Sequence, residues 1–101
     1  MLDGLFVTVT GFKNAREMAV FTIGSRFICE KEPSNPYDDD AIRVVGPNGA
    51  TVGYLANNAG TKAGGTLTAS RLYDRVGSRF VIEVCFTTRT KIICRVEDPG
   101  E

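Results

Sequence analysis

The stretch of this chain best suited to chemistry is residues 32–45, where an aromatic ring precedes a carboxylate on a loop with two prolines. The prolines disfavour helix and hold the backbone extended, and the short side chain of Asn35 favours a turn. We therefore predict a rigid, shaped loop over residues 33–39. Tyr37 and Asp38 lie on this loop, and such a pair can stack on a planar group while the acid accepts a hydrogen bond.

Two roles are open for Tyr37 and Asp38. In the structural role, Asp38 caps a turn and Tyr37 plugs one end of the fold. In the binding role, Tyr37 stacks on a base, a contact that contributes roughly 1–3 kcal/mol per base in single-strand binders, and Asp38 accepts a hydrogen bond from a terminal hydroxyl. Because a carboxylate repels phosphate, this role favours a free 3′-hydroxyl over a continued strand.

The acidic run at residues 38–40 also suggests a metal-dependent reaction, because carboxylates can hold Mg²⁺ for phosphodiester cleavage. Consecutive side chains of an extended chain point to alternate sides, so we expect these acids not to converge. No second acid cluster or basic catalytic partner is visible in the sequence. We therefore predict no catalytic residue, no metal ligand and no cofactor. A metal-dependent nuclease ranks third among the functional hypotheses, after the nucleic-acid-binding module and the protein-interaction module described below.

Short strands must position this loop. Runs of apolar and β-branched residues predict strands at residues 5–10, 26–32, 41–45, 50–55, 79–86 and 91–96. The Gly-Pro-Asn-Gly segment at 46–49 is typical of a hairpin turn, and Gly53 within the following strand indicates a bulge or a close backbone approach. We predict a loop at residues 12–18, and a strand fragment or a turn packing onto the core at residues 19–21.

The segment between the fourth and fifth main strands is rich in glycine, which weakens helices. Residues 56–63 can form a short helix capped by one of the two asparagines, and residues 68–74 a second one capped by Thr68 or Ser70. Residues 97–101 are polar and predict a frayed tail. Six short strands with one or two helices after the fourth predict a mainly β fold, a small closed barrel.

Composition limits the classes of function. A length of 101 residues suits a single domain, and we expect it to span residues 1–101 with a core at about 5–97. Lys plus Arg number 12 and Asp plus Glu number 12, so the formal net charge is zero. That balance counts against a purely electrostatic nucleic-acid binder, but it is compatible with local contacts to a strand end. The absence of His removes the commonest general base.

The cysteines, Cys29, Cys85 and Cys94, lie far apart in apolar strand-like runs. We expect small buried core residues in a reducing compartment, because the Cys-x-x-Cys spacing of a zinc site is absent. No apolar run approaches the ~20 residues of a membrane span, and the segment 1–4 lacks the features of a signal peptide. We therefore expect a cytoplasmic protein.

The loop and the hairpin after it together resemble a known family. Glu-Pro-Ser-Asn-Pro-Tyr-Asp at residues 32–38, then Ala-Ile-Arg-Val, a short hairpin and Val-Gly-Tyr-Leu at 52–55, resemble the HIRAN domain. The resemblance implies a small barrel akin to an OB-fold or SH3-like barrel with a short helical insertion. It also implies capture of 3′-hydroxyl ends of single-stranded DNA, in DNA repair or replication-fork processing. Single-stranded DNA or DNA ends are then the expected partners, with a separate helicase or repair protein as a further candidate.

The resemblance and the residue types together give a set of candidate nucleic-acid contacts. Asn35 is expected first to hold the loop, and the cations of the helical segment can meet phosphates, although solvated surface charge is the simpler interpretation for them. The candidate nucleic-acid-binding residues are Asn35, Tyr37, Asp38, Tyr54, Asn57, Phe12, Lys62 and Arg71.

The first strand departs from the pattern of a helicase-fused member of this family. A helicase-fused member of the family carries an arginine and aromatic residues before the glycine that matches Gly11, whereas residues 7–10 here read Val-Thr-Val-Thr. Part of the stacking platform and one positive charge are therefore missing, and Phe12 is expected to substitute in part. This departure and the zero net charge support an alternative function, a protein-interaction module that uses the same loop.

Overall fold

Six strands and two short helices make up the described part of the chain. A computed structural model describes residues 4–12 and 15–100, with only the backbone described at 15 and 16. The N-terminal segment 1–3, residues 13 and 14 of the predicted loop and residue 101 of the predicted tail lie outside the described residues. The strands are β1 Phe6–Thr10, β2 Arg26–Lys31, β3 Ile42–Val45, β4 Thr51–Leu55, β5 Arg79–Thr87 and β6 Ile92–Asp98. The helices are α1 Ala15–Met18 and α2 Ala69–Tyr73.

The strands close into an antiparallel barrel in the order β1-β4-β3-β2-β5-β6, with β6 returning to β1. Val9 of β1 pairs with Leu55 of β4 on one side and with Ile92 of β6 on the other. This architecture confirms the predicted six-stranded barrel. Closure gives every strand two neighbouring strands, so none of the six described strands lies at an open edge of the sheet.

Alternation along the strands separates the core from the surface. Val7 and Val9 point into the barrel and are fully buried, as are Ile42 and Ile82. Thr8 points outward between the two valines yet is also fully buried, because the segment between β4 and α2 covers it. The Thr8 hydroxyl lies 2.8 Å from the Thr66 hydroxyl and accepts a hydrogen bond of 3.0 Å from the backbone N–H of residue 63.

The turn at 46–49 joins β3 to β4 as predicted, with Gly49 at φ 84° and its N–H donating to the carbonyl of Gly46. The register shifts between Val44 and Val45, so that β4 carries a bulge beside Gly53. A Cβ on Gly53 would lie 2.8 Å from Val9 Cγ1. Both interpretations of this glycine are therefore confirmed, since β4 bulges and also approaches β1 closely.

The helices differ partly from expectation. α2 forms where the second helix was predicted, and Thr68 is its N-cap, with its hydroxyl accepting from the N–H of Arg71. Residues 56–63 are not helical, because the Asn58 side chain accepts from the N–H of Gly60 and holds a turn instead. The loop prediction for residues 12–18 was wrong at α1, a helix too short to show a periodic pattern.

Residues 19–21 form a turn that packs onto the core through Phe21, the second of the two predicted alternatives. The frayed-tail prediction was wrong for residues 97 and 98, which complete β6. The Arg26 guanidinium donates hydrogen bonds to the Glu97 carboxylate, which holds the pKa of Glu97 below its ordinary value. This cross-strand ion pair gives the end of β6 a partner that the sequence pattern did not reveal.

The cysteines follow the core prediction in part. Cys29 and Cys94 are fully buried, whereas Cys85 is half-buried, and all three are free thiols. Burial raises the pKa of Cys29 well above its ordinary value and that of Cys94 to about 12. Among the described residues, none of the helices has the length and apolar character needed to cross a membrane.

Candidate functional site

The loop between β2 and β3 is held by its own side chains. The Oδ1 atom of Asn35 accepts hydrogen bonds from the backbone N–H groups of Tyr37, at 2.8 Å, and Asp38, at 3.1 Å. At the base of the loop, the N–H of Glu32 donates to the carbonyl of Ala41 at 2.8 Å. The predicted rigid loop is therefore present, and Asn35 shapes it from within, as expected for an asparagine turn.

Glu32 joins this loop to β4. Its Oε1 atom accepts hydrogen bonds from the Tyr54 hydroxyl at 2.9 Å and from Asn35 Nδ2 at 3.0 Å. Burial, together with this hydrogen bond to a carboxylate, raises the pKa of Tyr54. The Tyr54 ring is thus anchored at its hydroxyl end, and its position relative to the loop is fixed.

Tyr37 lies at the crest of the loop with 93% of its surface exposed. It therefore does not plug the barrel, and that half of the structural interpretation was wrong. A ring so exposed contributes little to the core, since the free energy of burial follows the apolar area removed from water. It is instead free to lie against a planar ligand.

Both carboxylate oxygens of Asp38 accept hydrogen bonds. Its Oδ1 atom accepts from the backbone N–H of Asp40 at 2.9 Å, so it caps a turn as the structural interpretation expected. Its Oδ2 atom accepts from Asn57 Nδ2 at 2.8 Å. Each carboxylate oxygen can accept a further hydrogen bond, so a ligand hydroxyl can still be bound by Asp38.

Asn57 links Asp38 to helix α2. While its Nδ2 atom donates to Asp38, its Oδ1 atom accepts from the backbone N–H of Ser70 at 2.7 Å. A carboxylate can only accept and a backbone N–H can only donate, so these two partners define which end of the amide is which. Ser70 lies in the first turn of α2, where backbone N–H groups lack helical partners, and Asn57 supplies one.

A groove of about 530 Å³ runs between the loop and β4. The structure brings five of the predicted residues together in its walls: Asn35, Tyr37, Asp38, Tyr54 and Asn57. Its remaining lining residues are Thr10, Pro36, Ala41, Leu55, Ala56 and Thr61. Most of this lining is apolar, with a carboxylate and two amides near its edge, as is typical of a site that takes a flat ring and a polar group together.

Phe12, Lys62 and Arg71 are outside the described lining of this groove. Phe12 packs on the core, with its ring centroid 5.4 Å from that of Phe21 in an edge-on arrangement. Lys62 follows the turn after β4, and Arg71 is exposed on α2. Their role in binding stays a prediction that the geometry of this groove does not support.

The three aspartates do converge, contrary to expectation. One carboxylate oxygen from each of residues 38–40 lies within 4.8 Å of the others, because the turn held by Asp38 replaces the extended chain that the expectation assumed. The Ser70 hydroxyl donates to Asp40 Oδ2 at 2.7 Å. Burial and the charges of these acids raise the pKa of the nearby Tyr73. The three carboxylates therefore place negative charge beside the groove at Asp38, which disfavours a phosphate at that position.

Sequence reasoning missed Glu32, Thr10 and Ser70. Glu32 opens the loop motif, but its contact with Tyr54 depends on β2 and β4 lying two strands apart in the barrel. The alternation along β1 predicts that Thr10 points outward, because the preceding Val9 points inward. It does not predict which loop Thr10 faces. Ser70 was considered only as a helix cap, and no local signal indicates its bond to Asp40.

Comparison with known proteins bears on the same residues. The sequence pattern of the HIRAN domain matches residues 3–96, nearly the whole chain, and includes both the loop and the groove. Neither the curated proteins nor the solved structures gave a significant match. The extent of the pattern, and its coincidence with a closed barrel, establish that the chain belongs to the HIRAN domain family, a family of nucleic-acid-binding modules.

Proposed function

We propose that this chain is a non-catalytic module that captures the 3′-hydroxyl end of single-stranded DNA in the groove beside Tyr37 and Asp38. A terminal base stacks on the Tyr37 ring, and the terminal hydroxyl donates to the Asp38 carboxylate. DNA repair and replication-fork processing are the settings that expose such ends. A separate helicase or repair protein is a suitable partner there.

The observation that carries this proposal is the pairing of a ring that is 93% exposed with an adjacent carboxylate that has spare acceptor capacity. Stacking on an aromatic ring is tolerant of base identity, because every base has a flat face. The hydrogen bond to Asp38 adds selection for an end, since only a terminal nucleotide carries a free 3′-hydroxyl.

Electrostatics supports selection of an uncharged end. The carboxylates of residues 38–40 lie within 4.8 Å of one another. Two unit charges 4 Å apart repel by about 1 kcal/mol in water and by more where solvent is partly excluded. A 3′-phosphate, or a strand that continues past this point, would place an anion against these acids. A hydroxyl meets no such repulsion and can donate to them.

A protein-interaction module that uses the same loop is the second candidate. The formal net charge of zero and the exposed, rigid Tyr37 favour it, because aromatic residues are enriched in protein interfaces. The two functions differ in their response to salt. Phosphate contacts release counterions, so DNA binding weakens steeply as salt rises, whereas docking of a peptide through Tyr37 would change little.

The convergence of the three carboxylates favours the nuclease hypothesis, but their hydrogen bonds offer another explanation for that convergence. Asp38 and Asp40 already accept hydrogen bonds from Asn57 and Ser70, and these neutral donors stabilise the cluster as a structural turn. Incubation of labelled single strands with the protein and Mg²⁺ or Mn²⁺ tests this hypothesis. Intact strands are expected, and cleavage that disappears in Asp39→Asn would establish an enzyme instead.

The proposed function is tested by fluorescence anisotropy with matched strands that end in a 3′-hydroxyl or a 3′-phosphate. The wild-type protein should bind the hydroxyl form more tightly, and Asp38→Ala should remove that preference. Tyr37→Ala should weaken binding to both forms, because stacking does not depend on the end group. Equal binding of the two forms by the wild type would refute end capture, and absence of binding at low salt would favour the protein-interaction module.

A further inference from the structure

Phe86, near the end of β5, is an exposed aromatic side chain that lies away from the groove. Its ring is 61% exposed. In the closed barrel, two strands separate β5 from β4 in either direction, β2 and β3 on one side and β6 and β1 on the other. Phe86 and Tyr54 therefore lie on opposite sides of the barrel, and the groove gives no reason for the exposure of the Phe86 ring.

A β-bulge turns Phe86 outward. Val84 is buried, so strict alternation along β5 would point Cys85 outward and Phe86 inward. Instead, the register shifts between Val84 and Phe86, so that Cys85 is an extra residue and Phe86 pairs with Ile93 of β6. Bulges often re-aim a side chain beside a functional site. Because an exposed ring gains little from the core, its outward orientation indicates a contact with another molecule.

Phe86 belongs to an apolar patch that extends to the turn before β2. This turn runs alongside β5, because the N–H of Gly24 donates to the carbonyl of Val84 at 2.8 Å. Ile23 in the turn is 68% exposed, and the spacings of paired strands place it within roughly 10 Å of Phe86. Ile93, opposite Phe86 on β6, is half-buried. The β5 patch consists of Ile23, Cys85, Phe86 and Ile93.

Two cations border the β5 patch in the hairpin that joins β5 to β6. Ile92 is buried, so its two neighbours in the chain, Lys91 and Ile93, face outward. Arg89 is exposed at the tip of the hairpin. Neither cation forms an ion pair with the described part of the chain. Apolar surface and uncompensated positive charge therefore lie side by side.

We propose that the β5 patch docks a short segment of a protein partner that carries apolar side chains flanked by Asp or Glu. The apolar side chains pack on Phe86 and Ile23, and the carboxylates face Arg89 and Lys91. Exposed apolar patches rimmed by polar residues mark protein interfaces, in which aromatic residues and arginine are enriched. This inference does not depend on capture of DNA ends. Because the patch and the groove lie on different sides of the barrel, a strand end and a protein can be bound together.

Two other occupants fit the β5 patch less well. A second copy of the chain would bring the same two cations, while the carboxylates of Glu83 and Glu97 already bind arginines. A single strand of nucleic acid would stack only on Phe86, because the other members of the patch have no ring. Such a strand could not continue over β1 to the groove, since residues 63 and 66 cover Thr8 beside β6.

The test is selection from a phage-displayed library of short random peptides, carried out in parallel on the wild-type chain and on Phe86→Ser. The wild type should enrich peptides that combine Phe, Leu or Trp with Asp or Glu. Phe86→Ser changes an exposed position, so the fold should be retained, and it should weaken an enriched peptide by about tenfold or more, as for a central interface residue. The double variant Arg89→Glu, Lys91→Glu should also weaken it, and should prefer a version with lysines in place of the acids.

Tyr37→Ala is the matched control, because it removes the other strongly exposed aromatic ring. It should leave the affinity for the peptide unchanged and weaken strand binding, whereas Phe86→Ser should do the reverse. Amide chemical shifts then locate the contact on the full chain. The peptide should shift the amides of residues 23 and 85–93 and leave those of the loop at 33–39 unchanged.

Several results would overturn the proposal. Failure of the wild type to enrich peptides over Phe86→Ser, or enrichment of peptides without acids, would contradict the chemistry assigned to the partner. Peptide-induced shifts confined to residues 33–39 would favour the protein-interaction module at the loop instead. Self-association in sedimentation that Phe86→Ser abolishes would identify a second copy as the occupant, and shifts of the Phe86 amide with a single strand would identify nucleic acid. Loss of the preference for a 3′-hydroxyl would bear on end capture alone.

Discussion

Replacement of Asn57 by aspartate separates two roles that one side chain performs. The variant Asn57→Asp keeps an oxygen that accepts from the N–H of Ser70, but it puts an acceptor where Nδ2 now donates to Asp38 at 2.8 Å. The hydrogen bond from the first turn of α2 is therefore retained, while the contact that orients the Asp38 carboxylate becomes repulsive. If Asn57 served only as the acceptor for the Ser70 N–H, this substitution would be harmless.

The expected magnitude follows from these contacts. A hydrogen bond to a charged group contributes about 1.5–3 kcal/mol, and the lower value applies because this bond is only partly buried. Repulsion between the two carboxylates adds about 1 kcal/mol when solvent screens them. We therefore expect the free energy of unfolding to fall by about 2.5 kcal/mol, which lowers Tm by roughly 10–20 °C for a domain of this size.

Binding gives the more specific measurement. If the ligand needs Asp38 in the observed orientation, a cost of about 1.4 kcal/mol lowers affinity for the 3′-hydroxyl strand about tenfold. The added negative charge by itself would raise the preference for the 3′-hydroxyl, because it repels a 3′-phosphate more than a hydroxyl. A fall in the ratio of the two affinities, measured by anisotropy, therefore reports the lost orientation of Asp38 and not the added charge.

The neighbouring residue supplies the control. Asn58 Oδ1 accepts from the N–H of Gly60 at 2.7 Å, so Asn58→Asp preserves that bond and adds the same charge one position away. This control should retain both the stability and the hydroxyl preference of the wild type. Equal behaviour of the two variants in both measurements would refute the reasoning that Asn57 positions Asp38.

The structure makes four further predictions. Tyr37→Ala should change the free energy of unfolding by less than about 0.5 kcal/mol, as expected for an exposed side chain, yet weaken strand binding by about 1–3 kcal/mol; a large loss of stability in urea denaturation would contradict this. Thr8→Val should destabilise the fold by about 1–3 kcal/mol, because the N–H of residue 63 loses its buried acceptor, whereas Thr87→Val at an exposed position should not. The raised pKa values of Cys29 and Cys94 mean that these thiols stay neutral in the folded state while the unfolded thiols ionise, so the free energy of unfolding should fall as pH rises above about 8.5. Native-state alkylation followed by mass spectrometry should modify Cys85 first, and rapid alkylation of Cys29 would contradict its burial.

The pattern of strands could be predicted from the sequence because each strand is a local alternation of apolar and polar residues. Every main strand was found within a few residues of its expected bounds, and the Asn-Gly turn joined β3 to β4 as its residue types require. The helices were harder to predict, since α1 has four residues and residues 56–63 are held by side-chain bonds that compete with helix formation. Contacts that cross the barrel, such as Arg26 with Glu97, left no local signal.

The candidate site, like the fold, could be predicted from the sequence only in part. The sequence alone determined the loop, because prolines and Asn35 restrict the backbone locally, and it indicated Tyr37 and Asp38 as the pair of interest. Only the tertiary structure decided what surrounds that pair. Closure of the barrel brings Tyr54 to Glu32 and Asn57 to Asp38, contacts between residues 22 and 19 positions apart. It leaves Phe12, Lys62 and Arg71 outside the groove, because strand order and register, which depend on packing of the whole core, determine which outward-facing residues become neighbours.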